Sequence, residues 1–101
     1  MWILALFDLP VKEKEQRRQA TQFRKTLLRE GFTMLQFSVY ARPCPSEEAA
    51  LAFRNGLRGA LPQSGHVRII SITDRQFARM EVFLSQKSCD PERAPAQLEL
   101  F

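Results

Sequence analysis

One carboxylate stands at the end of an otherwise apolar opening run: Asp8 follows Met1-Trp2-Ile3-Leu4-Ala5-Leu6-Phe7 and is followed by Leu9-Pro10. An acid where a buried strand leaves the core needs a compensating cation, donor or helix terminus. The plain reading is a loop-start or capping aspartate. The chemical reading is a magnesium or manganese ligand, because such ions take oxygen donors and usually one or two carboxylates plus water or phosphate. One chain offers Asp8 alone, with Asp74 at the end of a distant strand as a weaker second. Two copies paired near the ends of their first strands would bring two Asp8 carboxylates to one ion. That site would suit phosphodiester hydrolysis, with the ion activating water and neutralising the phosphate.

Other chemistries are poorly supplied. His66, the single histidine, lies beside Gly65 with no nucleophile and base in readable proximity, and is read as a surface or edge residue. Cys44 and Cys89 are far apart and form neither a zinc pattern nor a CxxC. Gly31, Gly56, Gly59 and Gly65 match no phosphate-loop spacing.

Charge supplies the second constellation. The chain carries +4 overall, and the segment from Lys12 to Gly31 holds seven cations against three acids, leaving the remainder balanced at eight and eight. At about 100° per residue, Lys14, Arg18, Lys25 and Arg29 fall within roughly 60° of one another on a helix, with Arg17 and Arg24 flanking them. This ridge is either a solvated face or a phosphate-binding stripe. As a stripe it predicts salt-sensitive, sequence-independent binding of double-stranded DNA or RNA. Phe7, Phe37, Tyr40 and Phe83 are read as core rather than as base-stacking platforms.

The elements that must position these groups follow from periodicity. Residues 1–8 read as a buried strand, and Glu13 to Glu30 as a helix with Ala20, Phe23 and Leu27 inward and Gly31 as its left-handed stop. Phe32 to Arg42 is strand-like, with Gln36 and Ser38 interrupting it, so that one long strand and two short ones both fit. A second helix is expected from Pro45 or Ser46 to Leu61, with Ala50, Phe53, Leu57 and Leu61 inward and Pro62 ending it. Val67 to Thr73 is apolar on both faces and is expected to be central in its sheet. Thr73 to Gln76 fits a capping box, and Met80 to Leu84 reads as another strand. Residues 86–96 read as a linker, and Gln97-Leu98-Glu99-Leu100-Phe101 as a strand added to a sheet edge.

This order gives an α+β, ferredoxin-like βαββαβ domain over residues 1–85, with a linker and extra C-terminal strand over 86–101. A chain of 101 residues buries roughly 60–65% of its unfolded surface, too little for a large enclosed cavity. Catalysis would therefore be shallow or shared between subunits. The opening apolar run is cut after seven residues, short of a signal or membrane span, so a soluble cytoplasmic protein without membrane contact is expected.

Phe7-Asp8-Leu9-Pro10, the Arg17-Arg18 helix and Leu35-Gln36-Phe37-Ser38-Val39-Tyr40 together resemble the small CRISPR-associated endoribonuclease family, the non-integrase member of the two proteins shared by CRISPR adaptation systems. The resemblance covers the whole chain. The Gly31-to-Phe37 stretch and the last five residues resemble the variant found beside type II systems. The resemblance implies a homodimer in which the last strand of one subunit joins the other's sheet. It implies that Asp8 is the metal-binding catalytic residue of a Mg2+- or Mn2+-dependent nuclease. It also implies a central dimer bridging two integrase dimers in a heterohexameric adaptation complex, with Arg17 and Arg18 gripping backbone phosphates; Lys14 and Lys25 of the basic ridge complete the expected nucleic-acid-binding set. Phe7 stands where many relatives carry Tyr, which removes a hydroxyl that could position water or phosphate. A small ferredoxin-like toxin-type RNase or binding module outside CRISPR is the alternative.

Overall fold

The first strand, β1 (Trp2–Asp8), is apolar throughout in sequence, yet only alternate residues are fully buried. Ile3, Ala5 and Phe7 point into the core, Trp2, Leu4 and Leu6 are half-covered on the opposite face, and Asp8 is exposed. The computed structural model describes residues 1–84, in the order β1, α1 (Lys14–Arg29), β2 (Thr33–Gln36), β3 (Val39–Pro43), α2 (Glu47–Arg58), β4 (His66–Ile72) and α3 (Asp74–Ala78).

Local chemistry sets the boundaries. Gln16 Oε1 accepts from the backbone N–H groups of Lys12 and Glu13 at 3.1 and 3.0 Å, fastening the start of α1. Its end is a Schellman closure: Gly31, at φ 90°, donates to Leu28 and Phe32 donates to Leu27. Ser46 caps α2 by accepting from Ala49 N, and Thr73 and Gln76 form the reciprocal box that starts α3. The α1 stripe of Ala20, Phe23 and Leu27 is buried as its spacing required.

The sheet runs β2-β3-β1-β4, and every neighbouring pair is antiparallel. Each helical connection therefore skips a strand, which is the split arrangement of a ferredoxin-like fold. Phe23 and Leu27 of α1 and Ala50 and Leu57 of α2 share one cluster with Ile3, Ala5, Phe7 and Tyr40, so both helices cover the same sheet face. Burying Phe23, Leu27, Leu57 and Ile3 stabilises the fold by about 1.5–3 kcal/mol each.

The segment 32–42 resolves into two strands. Phe37 and Ser38 make the turn, Ser38 adopts φ 67°, and Gln36 pairs with Val39, with a register shift between Met34 and Gln36. Ser38 carbonyl accepts from Phe7 N at 3.1 Å, tying this turn to the end of β1.

Four expectations are corrected. The strand near residue 70 is not central: among the described residues β4 pairs with β1 alone and forms an edge, because β3 occupies the other side of β1. Helix α2 stops at Arg58 with Gly59 as its cap, so Leu61 lies beyond it and is exposed. Residues 80–84 form no strand, since no neighbour pairs with them among the described residues, and Val82, Phe83 and Leu84 are exposed. Phe37 and Phe83 are not core residues, whereas Phe7 and Tyr40 are. The proposed linker and the strand at residues 97–101 lie outside the described residues.

Candidate metal and nucleic-acid site

Asp8 ends β1 directly opposite His66, the first residue of β4. Opposed residues of an antiparallel pair hold their Cβ atoms ~4.5–5.5 Å apart, so the carboxylate and the imidazole are neighbours. Leu6 is opposite Arg68 on the same face. Asp8, His66 and Arg68 therefore make one polar corner on a largely apolar sheet face, around a shallow cavity of roughly 300 Å³. On its other side Asp8 borders a second cavity of roughly 480 Å³, shared with Arg24, Phe37 and Ser38.

Glycine makes this corner possible. Gly65 sits at φ 97°, and a Cβ there would lie 2.6 Å from the carbonyl oxygen of Asp8. The turn before β4 thus passes against the backbone that carries the acid.

Among the described residues no three His, Cys, Asp or Glu side chains gather as a metal cluster. A lone exposed carboxylate does fit an ion that keeps most of its waters, as magnesium does, and not a closed protein cage. Asp74 cannot join it. Asp74 Oδ1 accepts from the Met1 amine at 2.6 Å, at the opposite end of β1. Seven residues of strand separate the two carboxylates by about 20 Å.

The four predicted binding cations divide. Lys14, Arg17, Arg18 and Lys25 are all exposed on α1, and none lines a cavity beside Asp8. Arg17 is committed to the carbonyls of Val11 and Lys12, at 3.1 and 2.9 Å. Arg18 pairs with Glu15 through two nitrogens. Lys14 and Lys25 pair with no acid among the described residues. The Arg18 guanidinium, with help from Gln19, lowers the Glu15 carboxyl from 4.5 to about 2. A depressed carboxyl pKa contributes stability above its unfolded value and loses it as pH falls through the folded one. Both groups are therefore charged throughout the neutral range.

Releasing Arg18 should strengthen phosphate binding. Glu15→Gln is expected to raise duplex affinity several-fold at low salt and steepen the slope of log K against log salt by about 0.9, one added phosphate contact. Titration of a labelled duplex across salt concentrations measures both, and an unchanged slope would mean that Arg18 faces no phosphate.

The residues that sequence reasoning passed over are Arg24, Phe37 and Arg68 as neighbours of Asp8; His66 is exposed on an edge strand, as read, and what was missed is that it stands opposite Asp8. Register was the missing signal: once β1 and β4 are aligned antiparallel, Asp8 and His66 must meet.

Comparison with known proteins agrees with the fold. The family model described as CRISPR associated protein Cas2 matches residues 1–80. A CRISPR-associated endoribonuclease Cas2 from Flavobacterium psychrophilum is 44% identical over 101 residues, covering 100% of this chain and 88% of the relative. One from Parvibaculum lavamentivorans is 43% identical and covers 100% of both. The crystal structure of Streptococcus pyogenes Cas2 superposes with a TM-score of 0.63 at 14% identity, over 82% of this chain and 99% of that one, a likeness of fold. With a matched profile over most of its length and full-length relatives above two-fifths identity, this chain belongs to the Cas2 family of CRISPR-associated proteins.

Proposed function

We propose that this chain acts as a homodimer in CRISPR adaptation, binding duplex DNA between integrase dimers. We also propose that paired Asp8 residues hold a Mg2+ or Mn2+ ion for phosphodiester hydrolysis of RNA or double-stranded DNA. The observation that carries this reading is the placement of Asp8, Arg68 and His66 at one corner of a largely apolar sheet face, at the end away from the Phe77 ring that stacks on Trp2.

That face presents Leu4 and Leu6, half-covered, and Ile70, half-exposed, with half-covered Val39 beside them. An apolar face of this kind is stabilised by a partner. A second copy related by a two-fold axis would cover it and draw the two polar corners toward each other. The outer edge of β4 has no partner among the described residues and suits an added strand, the role expected of residues 97–101 from the other subunit. No helix among the described residues is long and apolar enough to cross a membrane.

In this arrangement the chain's own groups have distinct tasks. Asp8 holds the ion, which when bound supplies an activated water and charge neutralisation. Arg68 faces the phosphate from the neighbouring strand, and the α1 lysines hold backbone phosphates farther along the duplex. Hydrolysis joins the water oxygen to phosphorus and breaks the ester P–O bond, with one water proton passing to the departing oxygen and the other to solvent.

Ile70→Arg tests the seam with little risk to the fold, because Ile70 is 50% exposed. Analytical ultracentrifugation is expected to show a monomer with retained circular dichroism, and cleavage should fall to background. A wild-type protein that sediments as a monomer and still cleaves would sink the reading.

A further inference from the structure

Phe37 is a large aromatic at the tip of the β2–β3 turn, 52% exposed, where an unliganded fold has no evident use for it. The turn is held in place by the left-handed Ser38 and by the Phe7-to-Ser38 hydrogen bond, so the ring is presented on a fixed base. Above it lies Arg24, with its guanidinium carbon 5.5 Å from the ring centroid.

Among the described residues, Arg24 combines two features that no other arginine shares: it is half-buried and it donates no hydrogen bond, whereas Arg58, Arg68, Arg75 and Arg79, which also donate none, are exposed. Arg17, Arg18, Arg29, Arg42 and Arg54 each donate to a carbonyl, hydroxyl or carboxylate. Arg24 is half-buried, is positioned by the Phe37 ring, and donates no hydrogen bond to another described residue. A guanidinium so placed keeps its planar fork free for an incoming phosphate. The cavity it lines also contains Asp8, and its roughly 480 Å³ lies within the range of small-ligand clefts.

We propose that Arg24 and Phe37 form a subsite for one unpaired nucleotide beside Asp8, with Arg24 on its phosphate and Phe37 against its base. Every base has a π-face, so such a platform favours an unpaired strand without reading sequence. A base inside a duplex has both faces stacked and cannot use it. Arg24 also offsets the repulsion between the phosphate and the Asp8 carboxylate. The subsite rests on the nucleic-acid-binding reading above and adds to it a preference for frayed ends, tails or single strands.

The test uses fluorescence anisotropy with chelator present, so that binding is read without cleavage. The probes are a blunt duplex and the same duplex with a short unpaired tail, each in DNA and RNA form. Wild-type protein is expected to bind the tailed probe roughly ten-fold more tightly than the blunt one, the scale of one base–aromatic stack. Phe37→Ala should remove that preference and leave blunt-duplex affinity within about two-fold, while Phe37→Trp restores it. Arg24→Gln should weaken the tailed probe and reduce its salt slope by about 0.7, the value for one single-strand phosphate. The DNA and RNA arms identify which nucleotide the cleft accepts. A wild-type protein that binds both probes equally, or a Phe37→Ala protein that keeps the preference, overturns the subsite and leaves the duplex-binding reading standing. Failure of the wild type to bind any probe overturns both.

Discussion

Asp8→Ala is expected to lower divalent-cation-dependent cleavage by on the order of 10²-fold or more, beyond the 10–100-fold typical of groups that only support a ligand. The fold should be unaffected, since Asp8 is exposed at a strand end and buries no partner. Binding of nucleic acid should hold or rise slightly, because a negative charge is removed from beside Arg24 and Arg68. Asp8→Asn sharpens the point: it keeps shape and hydrogen-bonding capacity but loses the charge that holds an ion, so it should be as inactive as alanine. Cleavage that persists in both variants would remove Asp8 from the chemistry.

The same variants separate two roles. If the protein serves adaptation as a scaffold, as proposed, spacer integration with an integrase should survive Asp8→Ala and fail when Lys14 and Lys25, which pair with no acid among the described residues, are reversed in charge. If hydrolysis is part of the role, Asp8→Ala should stop both. One pair of assays on one protein preparation decides between them.

What the sequence made legible was whatever depends on local periodicity or a local cap. The α1 stripe, the Gly31 stop and the Thr73–Gln76 box are written in spacings of three, four and seven, and all three stand in the fold. Pairing order was not local. Val67 to Ile72 looks like an inner strand by composition, but among the described residues it pairs with β1 alone, with Val67 and Ile69 packed on the core and His66, Arg68 and Ile70 exposed on the other face. Phe37 was misread for a related reason: an aromatic in an apolar run is usually inward, and only the two-residue turn puts it outside. The basic ridge was correctly placed on the exposed side of α1, yet side-chain pairing had already engaged Arg17 and Arg18. Such pairing depends on rotamers and neighbours that residue spacing does not specify.

Gly65→Ala should destabilise the protein by about 2–4 kcal/mol, the combined effect of a left-handed backbone and a clash that no rotamer can relieve. The offended atoms are the Asp8 carbonyl oxygen at 2.6 Å and Leu9 Cδ2 and Pro10 Cδ at 2.9 Å from the added carbon. In a domain of this size that corresponds to a fall in melting temperature of more than about 10 °C. Gly56→Ala is the internal control, because it lies in α2 with nothing within 4 Å of an added Cβ. There the substitution should stabilise by roughly 0.5–1 kcal/mol through helix propensity. Cleavage distinguishes the two further. Measured well below its melting temperature, Gly65→Ala should still lose activity, since relieving the clash moves the backbone that carries Asp8 away from β4 and out of line with His66. A Gly65→Ala protein that melts like wild type would mean that the turn before β4 has room the present geometry denies it. One that is destabilised but fully active would show that the position of Asp8 along β1 is set by β3 and the Ser38 contact alone.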